Sequence, residues 1–274
     1  MPDNSSESSS HDSAQPHLHE KSPSILNRTW RFIPFKKYDP YLKIALNEVA
    51  LNSVSQSGAP IVWISGWDKN CVNVGQQQNI NDVVNVKEAK KRNITIVRRQ
   101  GGGGAMYLDS EGEISWAVIA PNELLPKDVN EIYKMYCERL CDALQVLGIE
   151  AYHKPINDVM TTLGKISGST LKRERNATYI GGTLIYAVDV RAVRALLQPE
   201  NDKTKDKKVP EKFKPITSVS MEAEKTREET IQALAKSLLE GFTFKIDDWS
   251  KNELSDAQTL SEKYSSAEWL RYND

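Results

Sequence analysis

Residues 97–109 read VRRQGGGGAMYLD. The glycine run Gly101–Gly104 follows an arginine pair, Arg98 and Arg99, and is flanked by two apolar stretches, ITIVR from Ile94 and ISWAVIA from Ile114. Both stretches are rich in β-branched residues and read as strands. A dense glycine run costs backbone entropy on folding, so it implies a task only glycine performs. Glycines let the main chain approach a ligand and aim several N–H groups at one point. The arginines add charge in a fork that suits phosphate or carboxylate. The segment therefore predicts an anion-holding loop between two strands. It is not a Walker A loop, because no Gly-Lys-Ser/Thr follows at the required spacing. It is not a dinucleotide fingerprint either, because a strand follows where that motif opens a helix. A plain surface turn is the competing reading.

Working outward, LKIALNEVALNSV from Leu42 places apolar residues at helical spacing, and Ser55–Pro60 breaks it. IVWI at Ile61 and CVNV at Cys71 read as short strands joined by a turn around Gly66 and Asp68. Val84–Arg92 reads as a short helix. Asp128–Leu147 reads as a long amphipathic helix with Gly148 just past its end. DVMTTLGKIS and YIGGTLIYAVD read as strands, and Arg191–Leu197 as a short helix. Asn201–Lys214 reads as a charged loop. Thr226 and Glu229 form a capping box that opens a helix to Leu239, closed by Gly241. FTFKI reads as a late strand, and the last helix runs from Ser255 to Lys263. Strands and helices mixed in this way predict an α+β fold, with mixed β-sheets packed against helices.

A second polar cluster is INDVMTTLGKISGST, from Ile156 to Thr170. It holds Asn157, Asp158 and Lys165 between two glycines. GKISG resembles part of a P-loop, but Val159 stands where the first glycine belongs. Gly164 and Ser167 are too far apart for a nucleophile elbow. On spacing alone, a lysine in such a turn reads first as a solvated side chain, with a catalytic cation as the lesser reading.

The bulk numbers exclude some classes. The 274 residues are enough for a full-sized core, and a net charge of −1 gives no electrostatic footprint for nucleic acid. The three cysteines, Cys71, Cys137 and Cys141, form no disulfide or metal framework, which suits a reducing cytoplasm. Cys137 and Cys141 share one face of a predicted helix and read as packing. No stretch is apolar enough to span a membrane. Residues 1–25 are polar and serine-rich, unlike a secretory or transit leader, and read as a disordered tail containing His11, His17 and His19.

RRQGGGGAMYLD with EISWAVI resembles the R-R-x-x-G-G-G-A-V-x-x-D…N-F-S segment of the lipoate–protein ligases of the A type. INDVMTTLGKISGST resembles their N-D-x…G-K-K-I-S-G-S-A segment, GGTLIYAVD their H-G-T-L-L-x-x-x-D strand, and VNVGQQQN their V-x-I-G-x-x-Q-N turn. EKYSSAEW resembles the K-Y-x-S-x-E-W that ends their large domain. These segments fall in family order and cover most of Trp30–Asp274.

The resemblance implies a biotin/lipoate ligase catalytic domain, class II synthetase-like, over residues 26–274. It implies an enzyme that activates lipoate with ATP and Mg²⁺ to lipoyl-AMP, then passes the lipoyl group to a carrier lysine. The implied carriers are the E2 component of a 2-oxoacid dehydrogenase, the glycine-cleavage H protein or a related lipoate-binding protein. Lys165 is implied as the catalytic cation at the carboxyl and α-phosphate. Arg98, Arg99, Gly102, Gly103, Gly104, Ala105, Met106 and Tyr107, with Lys165, Gly168 and Ser169, are implied as the ATP and lipoyl-AMP site. Asp158 and Asn157 are implied near Mg²⁺. An apolar slot for the lipoyl tail is expected near Trp116, Val118 and Leu184. YIGG lacks the usual histidine before G-T-L. The match ends without the small accessory domain of longer relatives, so a separate accessory protein is expected, as in two-part ligases. Octanoyl transferases of this fold carry a nucleophilic cysteine near the position of Ile156 or Asn157, which is not cysteine here. A non-catalytic module that binds lipoate or its carrier is the other alternative. Biotin ligases carry a G-R-G-R-x-G-R-type loop that this chain lacks.

Overall fold

The computed structural model describes residues 28–198 and 215–271. The expected tail with its three histidines, and the charged segment 201–214, lie outside the described residues.

Two sheets organise the molecule. The larger is built from β1 (Thr29–Tyr38), β2 (Ile61–Trp67), β6 (Glu113–Pro121), β7 (Tyr152–Lys154), β8 (Asp158–Met160), β9 (Lys165–Arg173), β10 (Ala177–Ile185) and β11 (Thr243–Ile246). Its strand order is β11-β1-β2-β6-β10-β9-β8-β7, with β1 parallel to both its neighbours and the other pairs antiparallel. The smaller sheet has β3 (Cys71–Val74) between β4 (Thr95–Arg98), parallel, and β5 (Met106–Leu108), antiparallel. The turn after Ile61–Trp67 therefore carries the chain from one sheet to the other. The predicted mixed α+β architecture is the one observed.

Local signals account for the helices. In α1 (Pro40–Ser57) the Asp39 carboxylate caps the first turn, accepting from the Tyr41 amide at 2.9 Å, and Pro40 sits where a helix needs no N–H. Gly58 ends it at φ 68°. Long helix α4 (Val129–Val146) follows α2 (Ile80–Val83), which the sequence did not signal, and α3 (Val86–Lys91), which falls within the short helix predicted over Val84–Arg92. The extended backbone of Val84 separates α2 from α3, and the Asn85 side chain caps the second by accepting from the Glu88 amide. After α5 (Val190–Leu196) and α6 (Val219–Glu222), the Thr226–Glu229 capping box opens α7 (Arg227–Leu239) as predicted. A second capping box, Ser250–Glu253, starts α8 (Lys251–Ser265) four residues earlier than expected, and α9 (Ala267–Leu270) follows.

The large sheet is buried on both faces by these helices. Along β6, Ile114, Trp116, Val118 and Ala120 belong to the core beneath α4 and α7, while Ala117 and Ile119 belong to the core beneath α1 and α8. That alternation is the period of a strand. It decides where any pocket opens: Ser115 and Thr183 face α1, whereas Trp116, Val118 and Leu184 face away. The expected apolar slot at those three residues is thereby corrected. They are 1%, 0% and 0% exposed and fill the opposite core.

Candidate functional site

A cleft of about 210 Å³ opens between α1, the pocket-side face of the large sheet and the glycine loop. Arg99 builds the loop. Its Nη2 donates to the carbonyls of Gly102 and Gly104 at 2.7 and 2.9 Å, its Nε to Gly102 at 3.1 Å, and its Nη1 to Asn73 at 3.1 Å. With its carbonyls turned onto one guanidinium, the loop is curled around its own arginine. Desolvation lowers the Arg99 pKa to about 10, with Tyr179 opposing. Gly103 adopts φ +92°, a conformation most residues avoid, and its carbonyl packs 2.1 Å from where a Cβ on Gly75 would lie. At Gly102 and Gly104 a Cβ would meet nothing among the described residues within 4 Å.

Gln100 anchors the base of the loop. Its side chain donates to Glu48 and Tyr264, each at 2.5 Å, and accepts from Lys172 at 2.8 Å. Tyr264, from the EKYSSAEW segment, also donates to Glu48 and packs edge-on against Trp269 at 5.2 Å.

The two arginines of the pair divide. Arg98 ends β4 and Arg99 follows it, so their side chains leave on opposite sides. Arg98 is 0% exposed and does not line the cleft. Its Nη1 donates to the carbonyls of Gly75, Gln76 and Gln78, and its Nε and Nη2 to Leu270 at 3.1 and 2.6 Å. The expectation that Arg98 holds a ligand anion is corrected: its donors serve main-chain carbonyls. Tyr107 also lies off this cleft. It faces a neighbouring cavity of about 150 Å³, where its hydroxyl accepts from Asn70 at 2.9 Å and donates to Asp109 at 3.3 Å. Ala105, Met106, Lys165 and Thr183 line both spaces.

Across the cleft from the glycines, Lys165 opens β9, with its Nζ 2.6 Å from Asp158 Oδ1. Gly168 makes room for it: a Cβ there would sit 2.6 Å from that Nζ. Asn157, Gly168 and Ser169 line the cleft beside it, and the Asn157 amide donates to the Ser169 carbonyl at 2.5 Å. The two distant segments, Arg99–Met106 and Asn157–Ser169, thus meet at one opening.

The donor set does not make a chain-only magnesium site. No group of three acidic, histidine or cysteine residues that could hold a metal occurs among the described residues. Asp158 offers one carboxylate, already paired with Lys165. Magnesium commonly takes one or two carboxylates and completes its shell with phosphate and water. Asp158 and Asn157 thus suit only a cation that arrives on a polyphosphate.

One part of the site was missed in the sequence. Lys43, on α1, is 4% exposed and lines the cleft. Its Nζ donates to Ser115 Oγ at 2.5 Å and lies 3.7 Å from the Trp67 ring centroid. Ser115 in turn donates to Glu113 at 2.7 Å. Burial lowers the Lys43 pKa to about 8 and raises that of Glu113 to about 7, each partly opposed by the charge of the other. A signal was available, since Lys43 occupies the helical register of Leu46 and Ala50, both buried.

None of the chain's cysteines lines the cleft. Cys71 is buried under Lys43's end of α1 with its pKa raised well above the usual range, and burial pushes Cys137 and Cys141 up to about 11 and 12. The Cys137 Sγ lies 4.0 Å from Ser169 Oγ, and Cys71 pairs with Leu108, yet neither thiol reaches the opening.

The chain is similar to proteins already known. The family profile described as lipoyl protein ligase A/B catalytic domain matches residues 39–243. Octanoyltransferase LipM of Staphylococcus aureus is 24% identical over 276 residues, covering 89% of this chain and 99% of that protein. Lipoate–protein ligase 1 of the same species is 25% identical over 240 residues, covering 84% of this chain and 70% of that protein. The bi-partite lipoate protein ligase of Thermoplasma acidophilum, described with its E2 lipoyl domain, superimposes with a TM-score of 0.79 at 22% identity, over 90% of this chain and 98% of that one. A lipoate-protein ligase A bound with ATP does so with a TM-score of 0.77 at 21% identity, over 90% and 100%. These structural likenesses are likenesses of fold.

Proposed function

The chain belongs to the lipoyl protein ligase A/B catalytic-domain family, and from that premise we propose that it is an ATP-dependent lipoate–protein ligase. The observation that carries the reading is the pairing of Lys165 with an open glycine loop across a cleft that no cysteine lines. A transferase of this family needs a thiol to carry the acyl group. An adenylating enzyme needs none, but must bring two anions together, and that requires fixed positive charge and oriented donors.

In this reading a carboxylate oxygen of lipoate attacks the α-phosphorus of ATP. The new P–O bond forms as the bond to the β-phosphate oxygen breaks, and pyrophosphate leaves. The Lys165 ammonium balances the charge that collects on the α-phosphate, and Asp158 holds it in place. The main-chain amides of residues 102–105 approach the nucleotide, and Arg99 keeps the loop in shape. Magnesium would come with the ATP and neutralise its phosphates. A carrier lysine amine then attacks the anhydride carbonyl, the acyl C–O bond breaks and AMP leaves. The carrier is a lipoyl domain of the 2-oxoacid dehydrogenase E2 or H-protein kind, or a related lipoate-binding protein, and a separate accessory protein assists the first step.

The test is pyrophosphate release from ATP and lipoate, with and without a candidate accessory protein, followed by carrier lipoylation. The second reading, octanoyl transfer, is favoured by the full-length match to LipM. It predicts acyl transfer from octanoyl-carrier protein with no pyrophosphate release under any pairing.

A further inference from the structure

The sheet face beneath the cleft carries one row of small and polar residues that crosses the strands. Ser115 on β6 stands opposite Thr183 on β10, Thr183 opposite Gly168 on β9, and Gly168 opposite Asp158 on β8. Residues directly opposite one another share a face, so these four lie on one side of the sheet, and Ser115, Thr183 and Gly168 line the cleft. An ammonium stands over each end of the row. Lys165 lies at Gly168 and Asp158, and Lys43 lies at Ser115. Ser115 and Gly168 are two strands apart, which at about 4.8 Å per strand is roughly 10 Å. Between them the Thr183 hydroxyl is buried, 7% exposed for the residue, with no hydrogen-bond partner among the described residues.

The ends differ in exposure. Lys165 is 26% exposed at its side chain and faces the exposed glycines across the cleft. Lys43 is closed in by Trp67, Leu108 and Ile44, all nearly fully buried. A substrate whose reacting carboxyl is at Lys165 therefore points its far end at Lys43. A chain ending in a methyl group would cover that ammonium and the Thr183 hydroxyl without replacing the water they lose. Covering polar groups in this way is unfavourable.

We propose, on the basis of the acyl-activating reading above, that Lys43 is a specificity-determining residue. It selects an acid whose distal end carries hydrogen-bond acceptor atoms, such as the ring sulfurs of lipoate, over a plain alkyl acid. The ammonium keeps one donor on Ser115, which relays the charge to Glu113, and turns another toward the cleft. The preference belongs to binding and needs no nucleotide.

The experiment is equilibrium dialysis of labelled lipoate and octanoate against the whole chain without ATP, for wild type and Lys43→Met. Wild type is expected to bind lipoate about tenfold more tightly than octanoate, the worth of one hydrogen bond from a charged donor. Lys43→Met is expected to abolish that ratio by weakening lipoate alone. A ratio near one in the wild type, equal loss for both acids, or a ratio kept by the variant overturns the proposal. Equal loss would place the carboxylate, not the distal end, at Lys43. If Lys43→Met does not fold, 8-hydroxyoctanoate against octanoate on the wild type decides: tighter binding of the hydroxy acid supports the proposal and equal binding overturns it. Because dialysis involves no ATP, a chain that binds lipoate selectively but releases no pyrophosphate sinks the ligase reading while leaving this one standing.

Discussion

The Nζ of Lys165 lies 2.6 Å from Oδ1 of Asp158, while Gly168 leaves the gap through which the lysine reaches it. The pair bridges two neighbouring strands, β8 and β9, across the cleft from the glycine loop. Asp158 therefore fixes the direction of a side chain that is otherwise free to move, and the ammonium keeps donors for a ligand.

Replacing Lys165 with alanine should reduce lipoyl-AMP formation by about a hundredfold or more, the scale seen when one preorganised charge-stabilising donor is removed. The fold should remain, because the lysine is only partly buried. Pyrophosphate release and a thermal melt on the same preparation check both halves. Full activity in that variant would remove Lys165 from the mechanism.

The glycines should separate into two kinds. Gly75→Ala puts a Cβ 2.1 Å from the Gly103 carbonyl, so it should displace the loop and lower both stability and activity. Gly104→Ala meets nothing among the described residues within 4 Å, so the melting temperature should hold while ATP affinity falls about tenfold. Parallel melts and nucleotide titrations distinguish the two. Equal effects at both positions would contradict the assignment.

Arg98→Met should destabilise the chain by about 3 kcal/mol or more, because it strands several buried carbonyls at once. Arg98→Lys should not restore it, since an ammonium cannot span the same carbonyls. Urea unfolding is the measurement. A variant as stable as wild type would show that these hydrogen bonds add nothing.

How much of this was readable beforehand follows from the same residues. The glycine loop and the lysine turn were visible because glycine, arginine and lysine in such runs conflict with ordinary strand composition. The division of labour between Arg98 and Arg99 was not. It depends on where β4 ends, and one residue of register swaps their faces. The tail slot was misplaced for a related reason: β6 is buried on both faces, so EISWAVIA shows no alternation to reveal that Trp116 and Val118 face away from Ser115. Lys43 was hidden by convention, since a lysine in a helix is normally assigned to solvent.

A chain lacking all three thiols, Cys71→Ala, Cys137→Ala and Cys141→Ser, should retain acyl activation at a temperature where it stays folded. The cysteines lie outside the cleft and their pKa values are raised by burial. Pyrophosphate release and carrier acylation are the readouts. Loss of acyl transfer in a folded variant would revive the thiol route.

Acid should loosen the contact between the first strand and α8. Burial alone would raise the Glu253 pKa, but hydrogen bonds from Arg31 and the Ser250 amide bring it down to about 2. A depressed carboxylate contributes stability that is complete above its ordinary value near 4.5 and is lost as pH falls toward 2. Wild type and Glu253→Gln should therefore differ in urea midpoint at pH 7 and converge near pH 2. The gap at pH 7 should be modest, since the attraction must first offset the cost of desolvating two largely buried charges. A constant difference across that range would discount the ion pair.

The two hydrogen bonds from Arg98 to Leu270 join residues 172 positions apart. During synthesis the glycine loop leaves the ribosome long before the segment that braces it. The wall of the cleft therefore waits for a segment made 172 residues later. Closing a contact across so much chain is a late event in folding. Formation of the cleft wall accordingly rests on a long-range closure and not on the glycine segment's own sequence.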